Sequence, residues 1–203
     1  VAGDQMELLL GSAPFPTPLL HTLTSTDSIS GSAVFAIEHG QLGSDGAKEI
    51  SARATDSAGN RGAAGGTLSL SLDTASPTLA SAKITGSNQA TFSYSEPVFS
   101  TTTDYTNLIL SGGDVRTILS ATGSSTATIL LSFGGIAVAT NATGTIAIGS
   151  TITDVAGNAL IATTTTLTDG QSPLATVSYS KNPVKTSDSL IITVTASEPI
   201  LDS

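Results

Sequence analysis

A five-residue motif that occurs twice constrains the fold of this chain more than any other feature. Asp56-Ser57-Ala58-Gly59-Asn60 is repeated as Asp154-Val155-Ala156-Gly157-Asn158, with a spacing of 98 residues. The Asp side chain can accept hydrogen bonds from backbone N–H groups two or three residues on, the Gly can adopt a positive φ, and the Asn tolerates the left-handed region. The motif therefore predicts a tight corner between two β-strands, and its spacing predicts a repeating domain of about 100 residues.

Three further pairs of segments recur with nearly the same spacing. They are separated by 102, 96 and 100 residues, in the order Ser95–Pro97 with Ser197–Pro199, Asp73–Pro77 with Asp169–Pro173, and Asp4–Leu10 with Asp104–Leu110. Because four landmarks follow one another in the same cyclic order, they indicate a tandem repeat rather than chance matches.

Apolar and polar residues alternate in short segments, which predicts an all-β fold. The alternation is plain in Gln89–Tyr94 and again in Ile50–Thr55, and turns rich in Gly separate such segments. Period-two alternation is typical of half-buried strands, and Pro97 is expected to end the strand that precedes it. Other predicted strands are Ala33–Ile37, Leu79–Thr85, Leu108–Leu110, Val115–Leu119, Ile129–Phe133, Ile136–Ala139 and Leu160–Leu167. The predicted core of the middle domain is Phe92, Tyr94, Leu131, Phe133, Ile146, Ile148 and Ile152.

The Ser-Glu-Pro strand end, the Asp-x-Ala-Gly-Asn corner and the Asp-x-x-x-Pro linker resemble those of bacterial immunoglobulin-like repeat domains. The resemblance covers nearly the whole chain. It implies tandem immunoglobulin-like β-sandwiches in a secreted or cell-surface protein, where such arrays act as stalks, adhesins, surface-layer parts or enzyme spacers. Some of these arrays hold calcium at their domain junctions, so calcium is the one cofactor that the resemblance implies.

The repeat divides the chain into one complete domain and two partial ones. Residues 77–172 are the complete domain, residues 1–76 form a domain that lacks its first two strands, and residues 173–203 supply only the first two strands of a third. Two strands are not stable alone. We therefore expect residues 173–203 either to complete the open sandwich of a neighbouring copy, head to tail, or to belong to a longer covalent array. The residues expected at that interface are Val177, Tyr179, Leu190, Ile192 and Val194.

Acidic residues fall at the predicted domain ends. Glu96 and Asp154 continue the inward parity of their strands, and Asp73 lies in the linker that reaches the same end, so these three carboxylates are expected to converge. Oxygen ligands of this kind suit calcium. Asp56 and Glu198 would form the equivalent site between copies. The alternative is that each Asp only accepts N–H bonds from its own turn while Glu96 only caps a strand end.

Composition excludes several functions. The net charge is −9 with seven basic residues, which argues against nucleic acid as a partner. No apolar run reaches the length of a membrane span, and there are no cysteines for disulfides or Cys-based zinc sites. His21 and His39 are the only histidines and have no metal-ligand spacing.

The sequence therefore predicts a non-enzymatic, extracellular structural protein, a subunit or segment of a surface fibre. An adhesin stalk or spacer array is the first alternative, and an accessory binding domain of a secreted enzyme is the second.

Overall fold

The computed structural model describes residues 1–199, apart from the side chain of His39. Residues 200–203, the last four of the predicted third domain, lie outside the described part. The chain forms two compact units, Val1–Ala75 and Ser76–Ser203. Both are built almost entirely of β-strands, as the alternation predicts.

The first unit contains one five-stranded sheet and one short helix. The antiparallel order is β2-β1-β4-β5, and β3 also pairs with β1. Its elements are β1 (Gln5–Leu10), β2 (Ala13–Pro14), β3 (Leu20–Thr22), α1 (Ser25–Ser30), a 3-10 turn (His39–Leu42), β4 (Gly46–Thr55) and β5 (Leu68–Leu72). The sequence analysis did not predict α1, although the capping residues of this helix can be read in the sequence. Thr24 caps the helix through the N–H of Asp27, and Gly31 ends it with a φ of 70°.

The two faces of this sheet differ in how well they are covered. Leu9 is buried on one face, where Arg53 Nε also donates to Glu7 Oε2 at 2.7 Å. The opposite face is mainly apolar but also carries His21 and Lys48, and most of its side chains keep partial or full exposure. We call it the open face, and cross-strand pairing assigns to it Met6, Leu8, Leu10, His21, Lys48, Ile50, Ala52, Ala54, Leu68, Leu70 and Leu72. Among the described residues of this unit, Leu9, Phe15 and Ile50 are the buried apolar side chains.

The second unit has two sheets around one core. The first has the antiparallel order β10-β11-β7-β6, the second has the order β14-β12-β8-β9, and a short parallel pair of β6 with β14 joins them. The strands are β6 (Leu79–Gly86), β7 (Gln89–Phe99), β8 (Tyr105–Leu110), β9 (Asp114–Arg116), β10 (Ile118–Thr122), β11 (Thr126–Phe133), β12 (Gly144–Ile148), β13 (Thr153–Asp154) and β14 (Thr163–Asp169), with a 3-10 turn at Thr102–Asp104. The arrangement is sandwich-like.

The predicted core of this unit is confirmed. All seven predicted side chains are at most 5% exposed, and they belong to one cluster of buried apolar residues. At its centre the Phe92 and Tyr105 rings lie 5.2 Å apart, and the buried hydroxyls of Tyr94 and Tyr105 are 3.0 Å from each other. Alternation alone therefore identified the residues that the two sheets enclose.

Four strand predictions were wrong, each for a local reason. Pro97 does not end its strand, because β7 bulges there against β11 and the missing N–H breaks no ladder bond. Residues 115–119 are divided between β9 and β10, since the chain changes sheets at Thr117. Ile136–Ala139 forms no strand, and Ile136 is 85% exposed. Ala33–Ile37 is likewise an irregular segment.

A separate two-stranded hairpin completes the second unit. It pairs β15 (Ala175–Tyr179) with β16 (Ile192–Ala196) in antiparallel register, with Val177 opposite Val194 and Tyr179 opposite Ile192. Residues that face each other directly across a ladder share one side of the ribbon. One side of the hairpin is therefore apolar, and the other carries Ser and Thr.

Candidate functional site

The two Asp-x-Ala-Gly-Asn corners have the same geometry. In the first, Asp56 Oδ1 accepts hydrogen bonds from the N–H groups of Ala58 at 2.9 Å and Asn60 at 2.8 Å, and Asn60 Nδ2 donates to Asp56 Oδ2 at 2.8 Å. In the second, Asp154 accepts from the N–H and the side-chain amide of Asn158, both at 2.8 Å. The turn role predicted for the Asp is thus present in both copies.

The role predicted for the Asn was wrong. The positive φ angles at the corners belong to Gly59 at 88° and Gly157 at 95°, while the two Asn residues keep negative φ. Asn60 holds its corner with its side-chain amide instead. The amide reaches the second carboxylate oxygen that the backbone leaves free, so the Asn contributes a side-chain donor rather than a left-handed backbone conformation.

The hydrogen bonds also affect ionisation. The side-chain amide and backbone N–H of Asn60 lower the pKa of Asp56. Burial raises the pKa of Asp154, but the bonds from Asn158 and from the N–H groups of its turn outweigh this and lower it overall. Both corner carboxylates are therefore anions near neutral pH.

Glu96 lies beside the second corner. β13 pairs with β7 at Asp154 and Val98, two residues beyond Glu96, and carboxylate oxygens of Glu96 and Asp154 fall within 4.8 Å of one another. Asp154 is 1% exposed and Glu96 is half-buried. Two anions this close repel each other unless a proton or a cation lies between them.

The linkers before and after the complete domain are alike. Asp73 Oδ1 accepts a bond from the N–H of Ala75 at 3.1 Å, and Asp169 Oδ1 accepts one from Gln171 at 2.9 Å. After the first linker, Thr78 and Ser95 exchange two bonds of 2.9 Å, Thr78 N–H to Ser95 Oγ and Ser95 N–H to the Thr78 carbonyl.

After the second linker, Leu174 and Ser197 exchange the same two bonds at 2.8 Å. The hairpin therefore begins in the way that the complete domain begins. Sequence reasoning did not name Asp169 as a site residue, although its Asp-x-x-x-Pro motif matches that of Asp73.

Glu198 faces Asp169 within the second unit. Burial, followed by the negative charge of Asp169 and a hydrogen bond to it, raises the pKa of Glu198. Glu198 Oε1 is buried and has no hydrogen-bond partner among the described residues. The pairing of Glu198 with Asp56 is expected between copies and stays a prediction, as does the convergence of Asp73 with Glu96 and Asp154.

The predicted interface residues are exposed apolar side chains. The exposed fractions of Val177, Tyr179, Leu190, Ile192 and Val194 range from 47% to 68%. Four of them stand on the apolar side of the hairpin ladder, whereas Thr176, Thr193 and Thr195 occupy the other side. A ribbon with one apolar side open to water is the feature of this unit that most clearly calls for a partner.

The first unit has a cavity of about 690 Å³. Met6 of the open face lines it, together with Leu23, Ile29 and Ala33 from the segment between β3 and β4. Its walls are mainly apolar, and Ile29 is 87% exposed. The cavity therefore adds unfilled apolar space to a unit whose core is small.

Two buried polar groups escaped sequence analysis. Asp104 is 4% exposed and accepts hydrogen bonds from the N–H of Thr101 at 2.5 Å and from the hydroxyls of Thr101 and Thr151. The Thr-x-x-Asp spacing signals such a cap. The Tyr94–Tyr105 hydroxyl pair had no local signal, because its members come from different strands.

No protein-family model matches the chain, and no curated protein matches it either. Within residues 1–199, no helix has the length and apolar character needed to cross a bilayer.

His21 Nε2 lies 2.9 Å from Asp27 Oδ2, beside the cap of α1. The side chain of His39 lies outside the described residues.

Proposed function

We propose that this chain is a non-enzymatic extracellular structural protein made of immunoglobulin-like domains, and that its copies join head to tail into a fibre. The β15–β16 hairpin of one copy completes the first unit of the next. A single observation carries this proposal. The hairpin exposes its apolar side, and the sheet of the first unit has a mainly apolar face whose side chains are mostly half-buried or exposed.

The hairpin matches the first two strands of the complete domain pair by pair. In that domain Ala82 lies opposite Phe92 and Ile84 lies opposite Ala90. In the hairpin Val177 lies opposite Val194 and Tyr179 lies opposite Ile192. Ala82, Ile84, Ala90 and Phe92 are buried in the core. Their counterparts would fill the core of the unit that receives the hairpin.

The energy available is moderate. Full burial of an apolar side chain of this size stabilises by about 1.5–3 kcal/mol, and the five interface side chains have roughly half of their area left to bury. They would together contribute roughly 5–8 kcal/mol. Association itself costs on the order of 4–15 kcal/mol, so backbone ladder bonds must add to the affinity.

Electron microscopy of the purified chain tests the proposal. Filaments are expected, and a chain that lacks residues 174–203 should stay monomeric with an exposed apolar surface. Filaments that persist after this deletion would refute complementation by the hairpin. Single particles from the intact chain would favour the alternative, an adhesin stalk or spacer in which a covalent neighbour covers the hairpin.

We further propose calcium as a cofactor at the domain ends. Asp73, Glu96 and Asp154 would hold one ion, and Asp169 and Glu198 with Asp56 of the next copy would hold another. Two observations support this, the 4.8 Å limit on the separation of Glu96 from Asp154 and the unpartnered buried oxygen of Glu198.

A further inference from the structure

We infer that residues 33–37, irregular in the free chain, are the strand that receives β16 of a second copy. This inference rests on the proposed function and names the acceptor within the first unit. The segment lies between β3 and β4, where the order of elements in the complete domain places β11. In that domain β11 pairs with β7, whose counterpart in the hairpin is β16.

The first unit departs from the complete domain at the places where β7 would be needed. β7 pairs with β11 and with β13. Shifted by the 98-residue corner spacing, β11 corresponds to residues 28–35, which here are the end of α1 and the start of the irregular segment. The counterpart of β12 and β13 is a single strand, β4, which runs directly to the corner at Asp56. Both changes follow if the missing strand normally draws these segments into a second sheet.

The segment already has the side-chain pattern of a strand. Ala33, Phe35 and Ile37 are half-buried and alternate with exposed Val34 and Ala36. Such period-two burial is a property of strands, yet no backbone ladder holds the segment. Among the described residues, the N–H groups of residues 33–37 make no hydrogen bond. They are free to pair with an incoming strand.

The segment also lies on the correct side of the sheet. The Phe35 ring packs edge-on against His21 of β3, with ring centroids 5.8 Å apart. His21 pairs with Met6, so both belong to the open face. β3 precedes this segment as β10 precedes β11, and β10 and β11 are paired neighbours in the complete domain. Phe35 therefore stands where the second sheet would be built.

The corner spacing gives a register for the pairing. Shifted by the 98 residues that separate the two corners, Ser132 corresponds to Val34. Ser132 pairs with Gln89. Shifted by the 102 residues that separate the two strand ends, Gln89 corresponds to Ile191. Val34 is thus expected opposite Ile191, on the outer side. A slip of two residues would place it opposite Thr193 on the same side.

Disulfide trapping between copies tests the inference, and the chain has no cysteine to interfere. One preparation carries Val34→Cys and the other carries Ile191→Cys or Thr193→Cys, so each cross-link joins two copies. Ile29→Cys is the matched control, because Ile29 and Val34 are both 87% exposed. Ile192→Cys controls for the opposite side of β16.

Val34→Cys should cross-link roughly tenfold or more faster than Ile29→Cys, because pairing raises the effective concentration of the two thiols. It should also prefer residues 191 and 193 to residue 192. Equal rates for Val34→Cys and Ile29→Cys would overturn the inference. With equal cross-linking rates, the proposed head-to-tail assembly would still stand if deletion of the hairpin abolished filaments. If the cysteine variants form no cross-links and the intact chain forms no filaments, both the acceptor segment and the head-to-tail assembly are refuted.

Discussion

Val194→Asp should disrupt assembly without unfolding the subunit. Val194 is 64% exposed in the free chain, so an Asp there changes the free energy of unfolding by less than about 0.5 kcal/mol. In the completed domain its position corresponds to Phe92, which is fully buried. There the substitution loses about 1–2 kcal/mol of apolar burial, since roughly two-thirds of the side chain's area is still to be covered.

The charge adds to this loss. An unpaired carboxylate in an apolar interior costs about 3 kcal/mol or more, so the total penalty is about 4 kcal/mol or more. Because 1.4 kcal/mol is a factor of ten, the dissociation constant between copies should rise about a thousandfold. Analytical ultracentrifugation over a concentration series measures this shift, and thermal melting checks that the subunit remains folded.

Thr193→Asp is the matched control. It places the same charge one residue away, on the polar side of the same strand, and should weaken assembly far less. The reasoning is refuted if both variants assemble as the original chain does, or if Thr193→Asp is as damaging as Val194→Asp. Equal damage would mean that any negative charge on the hairpin weakens assembly, and that assembly does not bury the apolar side of the hairpin.

Three further predictions concern the second unit. Phe133→Ala should destabilise it by about 3–5 kcal/mol in urea unfolding, since Phe133 is 1% exposed in the core, and a loss below about 1 kcal/mol would contradict the packing. If calcium binds, the melting temperature should rise with added calcium and fall with chelator, and Glu96→Gln should weaken that response; unchanged melting would leave the carboxylates with turn-capping roles alone. Because burial and Asp169 raise the pKa of Glu198, the stabilisation from protonated Glu198 is complete below the ordinary carboxyl pKa and is lost as pH rises through the raised value. Without a cation, hydrogen-exchange protection of β16 should therefore fall from acidic to neutral pH, and Glu198→Gln should abolish that dependence.

Local patterns in the sequence predicted the elements that local physics determines. The inward parity of Phe92 and Tyr94, continued to Glu96, depends only on the alternation of a strand, and it was correct for the core. The corners were predictable because Asp, Gly and Asn act within five residues of one another. The apolar side of the hairpin followed from the same alternation in Val177 and Tyr179.

Elements that depend on a distant partner were not predictable in this way. Residues 33–37 have the pattern of a strand but no ladder partner in the described chain, so the pattern alone gave the wrong structure. Pro97 remains within its strand because a bulge against β11 removes the need for its N–H. The hydroxyl contact of Tyr94 with Tyr105 requires two strands from different sheets, and its position depends on tertiary packing.

Mixing two disabled variants tests most directly the claim that copies complete one another. Val194→Asp disables the hairpin that is donated, and Leu68→Asp disables the open face that receives it; both residues are 64% exposed in the free chain, so both variants should fold. Each variant retains the surface that the other lacks. Ultracentrifugation should show monomers of either variant alone and one-to-one dimers when they are mixed, with no longer species. Monomers in the mixture, or filaments of either variant alone, would contradict head-to-tail complementation.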